Sequence, residues 1–486
     1  MRYLTRLSRG LLVAAALVLS FAAEPKAQTT PSERPNIIHI MFDDSNENML
    51  GIMENAKAEI HDRGVRFPNA YFATSLCCPS RATQQTGLYP HNTGVLDNGL
   101  ADGGSANGGY PAFKARGHEA HTYGVWADDA GYQTAYFGKH MNGYDGALGA
   151  QMPNPSGWDH WQASVNSPQD RLGVTDGVVV KFNPKLHDEW VADNAIGWIE
   201  ANASDPGPFL SVLSFYAPHN PAEHPASYDS QFTSAPLPKS LAYNENVADK
   251  PAFMKKYSAI TASQGAALTE HYRDRLRSVE YVDNRLAEMF STLRRAGEMD
   301  NTYFVFWADN SNHLGDHRAR SPTNGGKGLP HLVDSRMPLW VAGPGIPAGT
   351  TMPQLISAVD VAPTIAEMAA GTLTREVDGR SFLGLAQGQA PAWRNYAYAE
   401  FPQGAVSNGK IPNWHALYWP AGTYHQWPAS GEKELYNLTA DPYQIKNVLY
   451  GGTSNAEQQQ VAKYNGIVNQ MKTCDGAQCR SIEEQP

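Results

Sequence analysis

Residues 37–45 read IIHIMFDDS, an apolar run from Ile37 to Phe42 that stops on Asp43 and Asp44. A run so short and so apolar has the character of a strand buried on both faces. Three further runs repeat the pattern: Thr134–Phe137 stops at Gly138-Lys139, Phe209–Phe215 stops before Ala217-Pro218-His219, and Tyr303–Ala308 stops at Asp309-Asn310. Helical segments lie between them. One covers roughly Asp188 to Asn202. Another runs from about Leu268 to Ala296, with Tyr272, Leu276, Val279, Val282, Leu286, Met289 and Leu293 stepping by three or four along one face. Strands alternating with helices predict an α/β fold whose central sheet is mostly parallel and flanked by helices. Ligands of such sheets bind beyond the carboxyl ends of the strands. Asp, Lys, His and Asn at four strand ends therefore point to one site.

The 486 residues are 42% hydrophobic and 18% charged, a globular balance that excludes a disordered or polytopic membrane chain. The 48 acidic residues outweigh 38 Lys and Arg, for a net charge of -10. No basic footprint for nucleic acid is present, and an anionic substrate would have to be held by a few local cations. Arg2, Arg6 and Arg9 precede the apolar run Leu11–Ala23, which is too short to span a bilayer. Residues 1–27 are read as a secretory signal peptide, so the mature protein is expected to be secreted or periplasmic, with no membrane association after cleavage.

Residues 34–388 are expected to form the catalytic α/β domain. Aromatic, strand-like pieces then begin, Tyr396–Phe401 and Trp414–Trp419, and a helix is expected near Ala456–Lys472. Residues 389–486 are accordingly read as a small C-terminal α+β subdomain carrying an antiparallel sheet. Long loops at 98–109 and 221–265 are expected to wall a pocket, with Trp414 or Trp419 offering a rim for a sugar ring. Cys474 and Cys479 bracket a short loop and are expected to form a local disulfide in an exported chain. Cys77 and Cys78 are adjacent, a geometry too strained for a bond between them.

Cys77-Cys78-Pro79-Ser80-Arg81, within TSLCCPSRATQQTGLYPHN, resembles the sulfatase signature Cys-x-Pro-Ser-Arg. Average residue usage would produce those four fixed positions in about one chain of this length in a thousand. The likeness continues in order through RPNIIHIMFDDS, YFGKHMNGY, YAPHNP, FVFWADNSNHLGDH, GGKGLPHLVDSRMPLWVAGPG and GEKELYNLTADPYQIKNV. It implies an alkaline-phosphatase-like fold and a sulfuric ester hydrolase. It also implies that a dedicated formylglycine-generating maturation enzyme oxidises Cys77 to Cα-formylglycine. In the mechanism it implies, the hydrated aldehyde attacks sulfur with help from the metal and Asp309, and His219 protonates the leaving alcohol. Elimination of sulfate then restores the aldehyde, and Arg81 holds position 77.

The residue chemistry agrees. Asp43, Asp44, Asp309 and Asn310 offer hard oxygen ligands from two strand ends, a set suited to Ca²⁺ ahead of Mg²⁺ and not to zinc. The resemblance adds residue 77 to the metal ligands. Lys139 and Lys327, by their motif contexts, would neutralise the sulfate oxygens. One Asp pair alone would read as a loop or cap carboxylate; two at strand ends argue for a metal.

The Gly-Lys-x-x-Asn form, with Met141 and Asn142 after Lys139, resembles the N-acetylglucosamine-6-sulfatase and heparan endosulfatase branch. It implies a sulfated carbohydrate substrate, a 6-O-sulfated hexosamine, and the acidic net charge favours exo-type attack on chain ends. His140 replaces an aromatic of that branch, which leaves the base for sulfate elimination open between His313 and His317; both are also candidate substrate contacts. The rival readings are an arylsulfatase or a phosphonate monoester hydrolase of the same superfamily. Outside enzymes, the rival is a glycan-binding protein never matured at Cys77. Tryptic mass spectrometry is expected to find the aldehyde at position 77 and a thiol at Cys78; unmodified Cys77 in fully active enzyme would overturn the assignment.

Overall fold

The computed structural model describes residues 34–100, 105–144, 152–165, 168–320, 326–402 and 411–486. The expected signal peptide at 1–27 and residues 101–104 of the first long loop lie outside the described residues.

Ten strands form one sheet: β1 (Asn36–Phe42), β2 (Val65–Phe67), β4 (Gln133–Gly138), β5 (His160–Val165), β6 (Leu172–Thr175), β7 (Val178–Lys181), β8 (Phe209–Ser214), β9 (Thr302–Ala308), β10 (Leu339–Ala342) and β11 (Thr350–Thr351). Two short strands, β3 (Ala70–Tyr71) and β12 (Ile356–Ser357), pair separately. The order across the large sheet is β11-β2-β10-β9-β1-β8-β4-β5-β6-β7. Its centre, β9-β1-β8-β4-β5, is parallel throughout. Antiparallel pairings of β10 on one flank and β6 and β7 on the other make the whole sheet mixed. Strands β1, β8 and β9 are buried along their full length, which is why their sequences are apolar on both faces.

Helices His187–Asn202 and Ala262–Ala296 pack on the sheet. The longer one is capped by Thr261, whose hydroxyl accepts from the Gln264 N–H while the Gln264 side chain accepts from the Thr261 N–H. A second, four-stranded antiparallel sheet follows: β13 (Ala397–Phe401), β14 (Trp414–Trp419), β15 (Gly422–Trp427) and β16 (Glu432–Asn437). Helix Asn455–Met471 comes next, and then the Cys474–Cys479 disulfide, with an S–S distance of 2.05 Å. Among the described residues no helix is long and apolar enough to cross a membrane.

The small sheet is bound firmly to the loops and helices at the active edge of the larger domain. Phe401, Trp414, Tyr418 and Trp427 share a buried cluster with Leu76, Leu329 and Leu332. The fully buried Arg394 donates to Asp360 and, at 2.9 Å, to Glu483. His91 lies 2.7 Å from Glu400 Oε1 through Nδ1 and 3.0 Å from the Cys474 carbonyl through Nε2. Burial lowers the pKa of His91, but the Glu400 carboxylate outweighs this and pushes it up to about 9. The folded chain thus holds this proton more tightly than the unfolded chain. The resulting stabilisation is complete below pH 6.5 and fades as the pH rises through about 9. His91→Gln should cost about 2 kcal/mol at low pH, allowing for the pair's partial exposure, and most of that gap should close at alkaline pH in urea melts.

Candidate active site

Parallel pairing sets the site. The registers Phe42↔Ala308, Met41↔Ser214 and Gly138↔Ser214 bring the carboxyl ends of β1, β9, β8 and β4 level. Asp43, Asp309 and Lys139 each follow one of these ends directly. Gly138 has φ +102°, and a Cβ there would lie 2.0 Å from the Ser214 carbonyl, so only glycine allows β4 to deliver Lys139 so close to β8. Helix Cys77–Thr86 starts at the same edge with Cys77 as its first residue. Arg81 lies four residues on, hence on the same helix face.

Arg81 is fully buried and uses its whole guanidinium. Nε donates to Asp309 Oδ2 at 2.8 Å, and Nη1 donates to the Lys139 carbonyl at 2.7 Å and to Ser214 Oγ at 2.8 Å. Nη2 lies 3.4 Å from Asp43 Oδ2. Lys139 Nζ donates to Asp43 and sits 4.8 Å above the Tyr216 ring. Lys327 Nζ lies 2.7 Å from Asp44 Oδ1 and 2.8 Å from Cys77 Sγ. His219 lies 2.8 Å from the Asn220 carbonyl through Nδ1, and its Nε2 is 3.8 Å from Asp44 Oδ2. One ligand atom from each of Asp43, Asp44, Cys77 and His219 lies within 4.8 Å of the others.

The electrostatics follow from this crowding. Burial works to raise the Asp43 and Asp44 carboxyls, but the surrounding cations hold both below the usual carboxylate range. Asp309 is raised by burial and by the charge of Asp43, against the pull of Arg81. Burial pushes the Cys77 thiol up, as does Asp43. Burial likewise lowers His219, although Asp43 and Asp44 oppose it.

The residues fit a hard cation. Asp43, Asp44, Asp309 and Asn310 present oxygen donors from two strand ends, and Asn310 Oδ1 is buried without a hydrogen-bond partner. An acceptor left so in a carboxylate cluster suits an oxygen-seeking ion such as Ca²⁺.

Cys77, Arg81, Lys139, His219, Asp309, Lys327, Asp43, Asp44 and Asn310 thus meet in one place. His313 and His317 do not join them. Both rings are buried and pack around His331, and neither makes a hydrogen bond or ion pair with the Cys77 cluster. Trp414 is fully buried and donates its indole N–H to the Gly328 carbonyl at 2.7 Å, while the Trp419 ring is stacked on Tyr464 at 4.5 Å. Trp414 therefore offers no face to a sugar, and one face of Trp419 is already covered.

Sequence reasoning missed several supporting residues. Ser214 joins Arg81 to the Lys139 carbonyl. Asp188 accepts the Tyr216 and Ala217 N–H groups, each at 2.8 Å, and so shapes the turn that carries His219. Arg275 donates to the Asp44 carbonyl at 2.5 Å. A cation on the inner face of an amphipathic helix was the available signal for Arg275; nothing local marks Ser214.

A family model described as Sulfatase matches residues 35–372. The chain belongs to the sulfatase family. A second model, N-sulphoglucosamine sulphohydrolase, C-terminal, matches residues 331–472 of this sulfatase. N-acetylglucosamine-6-sulfatase of Capra hircus is 28% identical over 498 residues, covering 93% of this chain and 85% of that relative. The extracellular sulfatase SULF-1 homolog of Drosophila melanogaster is 29% identical over 363 residues, covering 72% of this chain and 31% of that much longer protein. A protein solved in complex with its substrate D-glucosamine-2-N,6-O-disulfate shares the fold, with a TM-score of 0.76, 20% identity and coverage of 93% of this chain and 99% of that one.

Arg81→Met should destabilise the metal-free sulfatase by about 3–5 kcal/mol in urea melts, because Asp43 and Asp309 lose a buried counter-charge. Adding Asp309→Asn should recover part of that loss by removing one of the stranded charges.

Proposed function

We propose that this sulfatase is exported, matured at Cys77 to formylglycine, and removes the 6-O-sulfate of a hexosamine at the end of a sulfated glycan. The observation that carries the reading is the gathering of Lys139, Lys327 and Arg81 with three carboxylates around the buried first residue of one helix.

In this reading Asp43, Asp44, Asp309 and Asn310 hold Ca²⁺. Bound there, the ion and the hydrated formylglycine supply an oxygen nucleophile and positive charge against the sulfate oxygens. The chain's own groups do the rest. Lys139 and Lys327 pair with Asp43 and Asp44 here, and with those carboxylates engaged by an ion their ammonium groups would be available to the sulfate oxygens. Arg81 fixes Asp309 and the Lys139 backbone, so the site needs little reorganisation. His219 donates its Nδ1–H to the Asn220 carbonyl, which leaves Nε2 to carry a proton to the departing sugar oxygen. Its side chain is 28% exposed, the opening a leaving alcohol needs.

The goat relative's name and its near-complete overlap support the hexosamine 6-sulfate. The fruit-fly relative is named extracellular, which supports export. A cavity of about 460 Å³ lies between Asn46, His317 and residues 238–242 of the second long loop, but no residue of the Cys77 cluster lines it, so it is not taken as the sugar pocket. A net charge of -10 does not suit a groove gripping a long polyanion.

The test uses matured protein on 6-O-sulfated N-acetylglucosamine, its oligosaccharides, intact heparan chains, an aryl sulfate and an aryl phosphonate at matched concentration. The terminal 6-sulfate should turn over fastest. Chelation should lower the rate by about a hundredfold or more, with Ca²⁺ restoring it. Faster release from chain interiors would sink exo-action, and faster aryl phosphonate cleavage would replace the sulfate reading. Full activity after chelation would sink the ligand set. Glycan binding without turnover in protein carrying unmodified Cys77 would favour a binding role.

A further inference from the structure

A second cluster of ligand-type side chains lies away from Cys77. His331 immediately precedes the short helix Leu332–Ser335, four positions after Lys327. His425 on β15 is the direct cross-strand partner of Glu434 on β16. All three side chains are fully buried. One donor atom from each lies within 4.8 Å of the others. His331 Nε2 is 3.5 Å from Glu434 Oε1, and His425 Nδ1 is 3.3 Å from Glu434 Oε2.

Two features set this cluster apart from an ordinary buried hydrogen-bond network. Nδ1 of His331 has no hydrogen-bond partner and Nε2 has only the long 3.5 Å approach to Glu434, although the ring is wholly enclosed. Such an orphaned group is costly and calls for an explanation. Among the described residues Glu434 has only His331 and His425, and no lysine or arginine, as ion-pair partners. It receives the Tyr436 hydroxyl at 2.5 Å and the Trp427 indole N–H at 2.8 Å, the surroundings of a carboxylate. The nearby Lys250 is engaged by Glu245 at 3.3 Å, Asp249 at 3.1 Å and the Ile445 carbonyl at 2.7 Å.

We propose that His331, His425 and Glu434 bind a transition-metal dication of the zinc type and pin the C-terminal sheet to the segment that carries Lys327. Donor atoms bonded at about 2.1 Å to one tetrahedral ion lie about 3.4 Å apart; each histidine has that spacing to one Glu434 oxygen, 3.5 Å from His331 to Oε1 and 3.3 Å from His425 to Oε2, and a small rotation of the carboxylate would bring a single oxygen to the ion. Two imidazoles and a carboxylate suit zinc, whereas Ca²⁺ takes oxygen ligands alone. His425 Nε2 lies 2.8 Å from Thr423 Oγ1, the outer hydrogen bond that turns Nδ1 toward the ion. The fourth position is left to water. The ion shares no ligand with the Ca²⁺ cluster, and its role is structural.

Full-length protein without a histidine tag is stripped with chelator, resupplied with excess Ca²⁺, and titrated with Zn²⁺. Zinc per chain and thermal melting are read. One zinc per chain should remain after exchange into metal-free Ca²⁺ buffer, with Tm raised by about 5 °C. Zinc at the strand ends is separated by Cys77→Ser combined with His219→Gln, a protein that should retain its zinc. His425→Gln and Glu434→Gln should each lose it; these are near-isosteric changes, and either one that folds suffices. Absence of zinc uptake by the wild-type chain at about 10 µM free metal would overturn the proposal. So would zinc that is lost with Cys77 and His219 but retained without His425.

Discussion

The guanidinium of Arg81 is the constraint on which the active edge depends. Asp43 and Asp309 end adjacent parallel strands, and two buried carboxylates so placed repel each other. Arg81 lies across both, and its remaining donors close on the Lys139 carbonyl and Ser214 from the next two strands. One rigid planar cation thus ties four strand ends to the helix that begins with Cys77. A lysine has neither the fork nor the number of donors for this. The exchange is also mutual, because without Asp43 and Asp309 a fully buried guanidinium could not be tolerated.

Around that bridge the charges balance closely. Asp43, Asp44 and Asp309 face Arg81, Lys139 and Lys327, and burial makes each of these charges dependent on its neighbours. Lys139 and Lys327 reach the site from opposite sides, one from a central strand end and one from a loop. Either can be drawn toward a different anion without disturbing Arg81. Such a site is poised to accept a cation and a sulfate together, each restoring the balance that the other upsets.

The C-terminal sheet contributes to the same site indirectly. The Trp414 indole holds the Gly328 carbonyl, the Tyr418 hydroxyl holds that of Pro330, and the Gln444 side chain accepts the Leu332 N–H. These contacts fix the segment just beyond Lys327. Aromatic residues that could have served as a sugar platform are instead structural, because the loop's backbone groups need buried partners. The histidine cluster at His331 lies on the same seam and extends this support.

The sequence by itself determined β1, β4, β8 and β9, the first two strands of the small sheet, three long helices, and the polar residues that end those four central strands; the remaining strands and helix Cys77–Thr86 came from the structure. Short continuous apolar runs that stop on polar residues suit strands buried on both faces, and the Cys77 motif stands in one unbroken stretch. It also determined the Cys474–Cys479 disulfide, whose partners are only five residues apart. Tertiary structure alone decided the strand order, with β1 between β8 and β9, and the antiparallel flanks that make the sheet mixed. It alone placed Ser214 and Arg275 beside the carboxylates, buried Trp414, and packed the rings of His313 and His317 on His331. Each of these outcomes rests on contacts between residues distant in the chain. Local pattern shows that a side chain is apolar, charged or able to bind metal; which neighbour it meets is set by how the layers pack.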